Sequence, residues 1–163
     1  MTHTTQNPKN ITYRKAPLSD IETLVDFRIR FLSEFLETLE GKDIPSLKIK
    51  LADYFKRTIP SGEFISFIAE IDGKAVGCSG LIRWQHIPGF KENNENRGYI
   101  FNMYTVSDAR GQGIASSLVA LLIDEAKKLG IGNLSLHATP IAENIYRKAG
   151  FTDHKYRGLV LKF

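Results

Sequence analysis

The stretch Arg110-Gly111-Gln112-Gly113-Ile114-Ala115 stands where a predicted strand, Tyr99 to Val106, gives way to a predicted helix. Glycines at 111 and 113 allow a sharp turn and a close backbone approach to a ligand. The first turn of the helix leaves its N–H groups unpaired at the positive end of the dipole. The junction is therefore a candidate anion cradle that a pyrophosphate would fit. It matches neither of two other phosphate motifs. A P-loop needs a Gly-Lys-Ser/Thr ending, and a dinucleotide fold needs its glycines after an early strand of a repeating βαβ unit.

Downstream of the cradle, Ile114, Leu118, Leu121, Leu122, Ala126 and Leu129 form one apolar stripe of a helix from about Gly111 to Leu129, with Gly130 as its C-cap. Asn133 to Ala138 reads as a strand, Thr139-Pro140 as the cap and first residue of a short helix to Ala149, and Phe151 onward as a final strand or pair. Upstream, Pro88 to Arg97, with Gly89, Asn93, Asn94 and Asn96, reads as a surface loop. Before it, Asp72-Gly73 joins Phe64–Ile71 and Lys74–Trp84 as a β-hairpin. Ile11 to Lys15 reads as a first strand, followed by a Ser19-x-x-Glu22 capping box and an amphipathic helix that ends near Gly41. A second helix starts around Pro45 and is stopped by Pro60 and Gly62. The order β-α-α-β-β-β-α-β-α-β predicts an α/β (α+β) fold.

At 163 residues with 42% apolar content, the chain has the size of one domain with a sizeable core, expected over 11–163 after a loose polar tail at 1–10. The tail has no apolar segment of a signal peptide, and no run approaches the roughly 18 apolar residues of a membrane span. A charge of +4, from 22 basic and 18 acidic residues, suits a polyanionic small molecule better than nucleic acid. The single cysteine, Cys78, forms no intrachain disulfide, which fits a reducing cytoplasm, and no Cys/His cluster has zinc spacing, so no metal is expected.

In this order of elements, Arg110-x-x-Gly113-x-Ala115 resembles the Arg/Gln-x-x-Gly-x-Gly/Ala signature of the GNAT superfamily of acyl-CoA-dependent N-acyltransferases, and the likeness covers most of the chain. The resemblance implies a single GNAT-like domain: a mixed, mostly antiparallel central sheet with splayed strands 4 and 5 and about four flanking helices. It further implies that Arg110, Gly111, Gln112, Gly113, Ile114 and Ala115 hold the pyrophosphate of acetyl-CoA, with Arg110 fixing the loop. Main-chain groups at Met103, Tyr104 and Thr105 would pair with the pantetheine arm in the manner of an added strand. Asn144-x-Tyr146 with Ala149-Gly150-Phe151 resembles the family's fourth helix. Tyr146 is then the expected general acid toward the departing CoA thiolate, and Asn144 a further cofactor contact.

The implied reaction is direct attack of a primary amine on the thioester, which requires the amine to lose a proton first. Glu34, Glu70 and His137 are candidate bases, and ordered water is the alternative. Relatives often carry a glutamate on the fourth strand, where Asn102 and Tyr104 stand here. Phe31, Phe35, Glu34, Trp84, Asn102 and His137 are the candidate acceptor-site residues. The acceptor is open among small amines, amino acids, antibiotics, herbicide-like amines and protein termini, with a small molecule favoured. Cys78 has no identifiable histidine partner, which argues against a covalent intermediate. The expected partners are acetyl-CoA and an amine, without nucleic acid or membrane; a homodimer is compatible with the resemblance. A non-catalytic acyl-CoA-binding or interaction module is the competing reading, and Tyr146 argues against it.

Overall fold

The computed structural model describes residues 10–35, 38–90 and 95–163. Most of the expected N-terminal tail, Leu36 of the first helix, and Asn93 and Asn94 of the loop lie outside the described residues. The elements are β1 (Ile11–Lys15), α1 (Ile21–Phe35), α2 (Ile44–Ser61), β2 (Phe64–Ile71), β3 (Lys74–Gln85), β4 (Asn96–Thr105), α3 (Ile114–Lys128), β5 (Asn133–Ser135) and α4 (Glu143–Lys148).

The five strands form one sheet in sequence order, antiparallel throughout except that β4 runs parallel to β5. The β2–β3 turn at Asp72-Gly73 has φ of 50° and 77°, the left-handed pair that a two-residue hairpin demands. β2 and β3 are buried on both faces, so they read as near-continuous apolar runs. On one face Phe64, Ile68, Cys78 and Tyr104 pack with Leu24, Phe27 and Phe55 from α1 and α2. On the other, Ile65, Leu81 and Ile100 pack with Val119, Leu122 and Ala126 of α3 and Tyr146 of α4. The result is a helix–sheet–helix sandwich with two apolar layers.

Several expected boundaries are corrected. The capping box does not form: Leu18–Asp20 is a 3-10 turn without a side-chain cap, and Asp20 is taken by Arg14 at 2.5 Å. The described part of α1 runs to Phe35, and residues 38–41 are not helical, short of the end expected near Gly41; there Thr38 Oγ1 accepts from the Glu40 N–H at 3.0 Å, a local turn that competes with a helix. Pro60 falls within the last turn of α2, and Gly62, with φ of 73°, ends it. β4 starts at Asn96, because Asn96 and Arg97 pair with Gln85 and Trp84. α3 starts at Ile114, since Gly111 and Gly113 have φ of 75° and 77°, outside any right-handed helix. β5 stops at Ser135, and α4 starts at Glu143 after a turn on the Thr139 carbonyl.

No strand follows Phe151 among the described residues. Leu159, Val160, Leu161 and Phe163 are each more than three-quarters exposed, at 76–116%. A segment that buries so little gains nothing to offset the entropy of ordering it as a strand.

The parallel β4–β5 contact depends on a close approach at Gly98, where an added Cβ would stand 2.6 Å from Leu134 and 2.8 Å from Leu81. We expect Gly98→Ala to destabilise the fold by about 1–3 kcal/mol through this overpacking. Urea unfolding should show the lower midpoint, and an unchanged midpoint would mean that the strands separate at no cost.

Candidate active site

β4 and β5 are paired only from Arg97–Asn133 to Tyr99–Ser135. Beyond Tyr99, β4 runs on to Thr105 with no strand on its β5 side among the described residues, so a row of main-chain groups is left without a sheet partner there. A bulge accompanies the parting. Cys78 opposes Tyr104 while Gly80 opposes Phe101, which places two β4 residues against Ser79, and Asn102 takes up the strain at φ of 54°.

A cavity of about 460 Å³ opens beside this free edge. Met103, Tyr104 and Thr105 line one side, Gly111, Gly113, Ile114 and Ala115 the end, and Tyr146 the other side. At its end the chain passes from a 3-10 turn, Ser107–Ala109, through two left-handed glycines into α3. No side chain caps α3, and its first intrahelical bond is Ser117 N–H to Gly113 O at 3.0 Å. The N–H groups of Ile114, Ala115 and Ser116 thus precede the helical ladder and face the cavity end. Nothing lies within 4 Å of a Cβ placed on Gly111 or Gly113, so the cradle is open as well as left-handed.

Arg110 lines this space, but its guanidinium is engaged by protein groups. Its Nε donates to the Thr105 carbonyl at 2.9 Å, its Nη2 pairs with Glu34 of α1, and its guanidinium lies 5.8 Å from the Tyr104 ring centroid. Gln112 also turns back, its amide reaching the Asp108 carbonyl at a long 3.5 Å. What the loop offers an anion is therefore its backbone.

Glu34 is held from two sides, by Arg110 and by the Tyr104 hydroxyl, which donates at 2.6 Å. Burial alone would raise its carboxyl, but the bonds from Tyr104 and Arg110 hold it below the usual range. Burial, followed by the same carboxylate, pushes the Tyr104 phenol up to about 12. Both groups keep one protonation state near neutrality and act as a brace.

Tyr146 is 8% exposed, and no described group pairs with its hydroxyl. Burial, then the neighbouring Tyr99, raises its phenol above the ordinary value, so it is a neutral O–H beside the cavity. His137 lies just past β5, its Nδ1 2.5 Å from the Tyr99 hydroxyl. Cys78 is fully buried, donates to the Asn102 carbonyl at 3.3 Å, and is pushed up to about 12 by burial. A thiol in that state is no nucleophile.

Other sequence candidates are placed elsewhere. Glu70 is bound to Arg14 at 2.9 Å on the far side of the sheet. Trp84 pairs with Arg97, at the end of the sheet away from the cradle. Asn144 is exposed on α4 and does not line the cavity. Asn102 is 5% exposed, with its Nδ2 3.8 Å from Cys78 Sγ and its Oδ1 without a partner. Ser116, Ile141 and Ile145, which line the cavity, escaped the sequence reading; Ile141 and Ile145 carry only a one-turn apolar repeat. Arg28, between Phe31 and Phe101, escaped it as well. Among the described residues no group of His, Cys, Asp and Glu is arranged to hold a metal ion, and no helix is long and apolar enough to cross a membrane.

Since the Glu34 carboxyl is lowered in the folded state, its contribution to stability is present above the unfolded carboxylate value and is lost as pH falls through the lowered one. Glu34→Gln should therefore lose stability near neutrality and show a flatter acid limb in urea unfolding from pH 7 to pH 3. A limb as steep as wild type would show that the brace carries no such charge dependence.

The sequence model of the acetyltransferase (GNAT) family matches residues 29–151. A predicted acetyltransferase from Clostridium acetobutylicum, solved with acetyl-CoA, is 30% identical over 94% of this chain and 96% of its own, with a TM-score of 0.83. A GCN5-related N-acetyltransferase from Ralstonia eutropha, 22% identical over 93% of this chain and 99% of its own, shares the fold with a TM-score of 0.77. Glucosamine-6-phosphate N-acetyltransferase from Arabidopsis thaliana does so at 17% identity, over 94% of this chain and 99% of its own, with a TM-score of 0.69. With its splayed parallel strands, glycine cradle and family match in agreement, the chain belongs to the GNAT acetyltransferase family and is an acyltransferase.

Proposed function

We propose that the protein transfers an acetyl group from acetyl-CoA to a primary amine of a small molecule by direct attack, without a covalent enzyme intermediate. The observation that carries this reading is the convergence on one cavity of the uncapped start of α3, the unpaired edge of β4 and the free hydroxyl of Tyr146. Acetyl-CoA supplies a thioester carbonyl that an amine can attack, with the C–S bond breaking and thiolate departing.

The residues divide the work by what they can offer. The backbone N–H groups of Gly111 to Ala115 and Ser116 face the charge of a pyrophosphate, and the open glycines let it approach the main chain. Main-chain groups at Met103, Tyr104 and Thr105 hydrogen-bond an extended amide-bearing arm, which also places the carbonyl at the parting of the strands. Tyr146 donates its Oη proton to the departing sulfur. Its raised pKa keeps that proton in place at neutral pH, while a thiolate developing within reach is basic enough to accept a hydrogen bond and then the proton. Arg110 and Glu34 hold the cradle against α1. With Glu34 committed to that brace, deprotonation of the amine falls to water or to His137 at the mouth of the splay.

Acetyl-CoA consumption measured across amines, amino acids and aminoglycosides tests the reaction; tight CoA binding without turnover on any acceptor would favour a binding module. Tyr146→Phe should lower kcat on the order of 100-fold while acetyl-CoA affinity holds, because the proton is needed only as sulfur departs. Undiminished kcat would remove Tyr146 from the mechanism. Gly113→Asp, which puts a carboxylate and a strained left-handed residue in the cradle, should abolish CoA binding in calorimetric titration while the fold persists. Normal binding by that variant would place the pyrophosphate elsewhere.

A further inference from the structure

Arg28 is a half-buried cation on α1 whose guanidinium carbon lies over two rings, 4.6 Å from the Phe101 centroid on β4 and 5.1 Å from that of Phe31. No hydrogen bond or ion pair joins it to any described residue. The nearby carboxylates of its own helix are engaged, Asp26 with Arg30 at 2.8 Å and Glu34 with Arg110. Burial accordingly lowers its pKa. A guanidinium removed from water this far without an anion is costly, and two aromatic faces return only part of that cost. Both rings lie within reach of the guanidinium carbon, and no described residue takes its N–H donors.

The guanidinium sits on an aromatic wall. Phe31 packs on Phe35 at 4.6 Å between centroids, and Phe35 lines the cavity beside Tyr104 and Arg110. In the other direction Phe101 lies 6.1 Å from Tyr99, whose hydroxyl meets His137. Phe35 and Phe101 are 47% and 40% exposed, unusual for large rings in one cluster unless something covers them. The wall therefore leads from Phe35, beside Arg110 in the cavity, to Tyr99, the last residue of β4 paired with β5.

We infer that Arg28 anchors the carboxylate of an acceptor that carries both a primary amine and a carboxylate, such as an amino acid, with Phe31 and Phe101 holding the guanidinium plane so that its edge makes a bidentate pair. A fixed fork with parallel N–H donors matches a carboxylate, and one guanidinium balances its single negative charge. Ring stacking orients the fork before the ligand arrives, which lowers the entropy lost on binding. This inference rests on the acetyltransferase reading and names the substrate class for its acceptor side.

The test is acetylation of matched pairs: the standard L-amino acids, β-alanine and 4-aminobutyrate, each beside its primary amide, alongside uncharged amines. An α-amide has the less basic amine and would be the better neutral nucleophile if the carboxylate were irrelevant. We expect kcat/KM to favour the acid over its amide. Arg28→Met, which keeps an apolar stem between the rings, should lower kcat/KM for the acid by on the order of 10- to 100-fold, chiefly through KM. Arg28→Lys should restore only part of it, since an ammonium has no planar fork. Acetyl-CoA titration and thermal unfolding of both variants report whether the donor site and fold are intact. Turnover of uncharged amines or amides with no preference for acids, or acid turnover that Arg28→Met leaves unchanged, overturns this inference and leaves the acetyltransferase standing. Absence of turnover with every amine, despite bound acetyl-CoA, overturns both.

Discussion

The parting of β4 from β5 is the constraint on which the site depends. Parallel pairing lasts from Arg97 to Tyr99, and Gly98 lets Leu134 close over it; after that the strands diverge, with the Asn102 bulge bending β4. A sheet between two helical layers cannot leave main-chain groups facing apolar side chains without cost. The gap is therefore kept open to solvent or ligand, and α3 and α4 are spaced to form walls. The cradle is set by the same divergence, because the chain leaving β4 must turn at Ser107–Ala109 and Gly111–Gly113 before α3 can pack back on the sheet.

Charge is used indirectly. Arg110, the cation nearest the cradle in sequence, ties the end of β4 to α1 through Thr105 and Glu34. Fixing the loop in this way would leave the amides of Gly111 to Ser116 preorganised for the proposed pyrophosphate. Preorganised dipoles of this kind lose less on binding than a flexible side chain, which would have to be ordered first. Glu34 accepts two donors, and the brace links residues 76 apart in sequence.

Local signals were legible in the sequence because their causes are local. Asp72-Gly73 demands a left-handed turn, Pro45 marks the start of α2, and the glycines at 111 and 113 mark the junction with α3 wherever the rest of the chain lies. The order of elements followed from periodicity, and the mixed sheet with its splayed strands from the family resemblance. The features that distinguish the site come from contacts between distant segments. Nothing near Asn102 announces a bulge, since that depends on its register with Ser79. Nothing near Glu34 announces Arg110, so Glu34 reads as a free carboxylate. The apolar run after Gly158 looks like a strand, but a strand also requires a neighbour to bury it, and these residues remain exposed.

α1 shows why aromatic residues of the site were hard to separate from the core. At about 100° per residue, Leu24, Phe27, Arg28, Phe31, Glu34 and Phe35 share one broad stripe, while Asp26 and Arg30 pair on the opposite face. The first part of the stripe is core, with Leu24 and Phe27 at 0% and 3% exposure against the sheet. Towards its C-terminal end the helix runs past the core and over the parting strands, so the same stripe faces the cavity through Phe35 at 47% exposure. Periodicity reports which way a stripe points but not what lies beneath it. The change along α1 from core packing to cavity lining is therefore encoded where β4 ends its pairing with β5, in a different part of the chain.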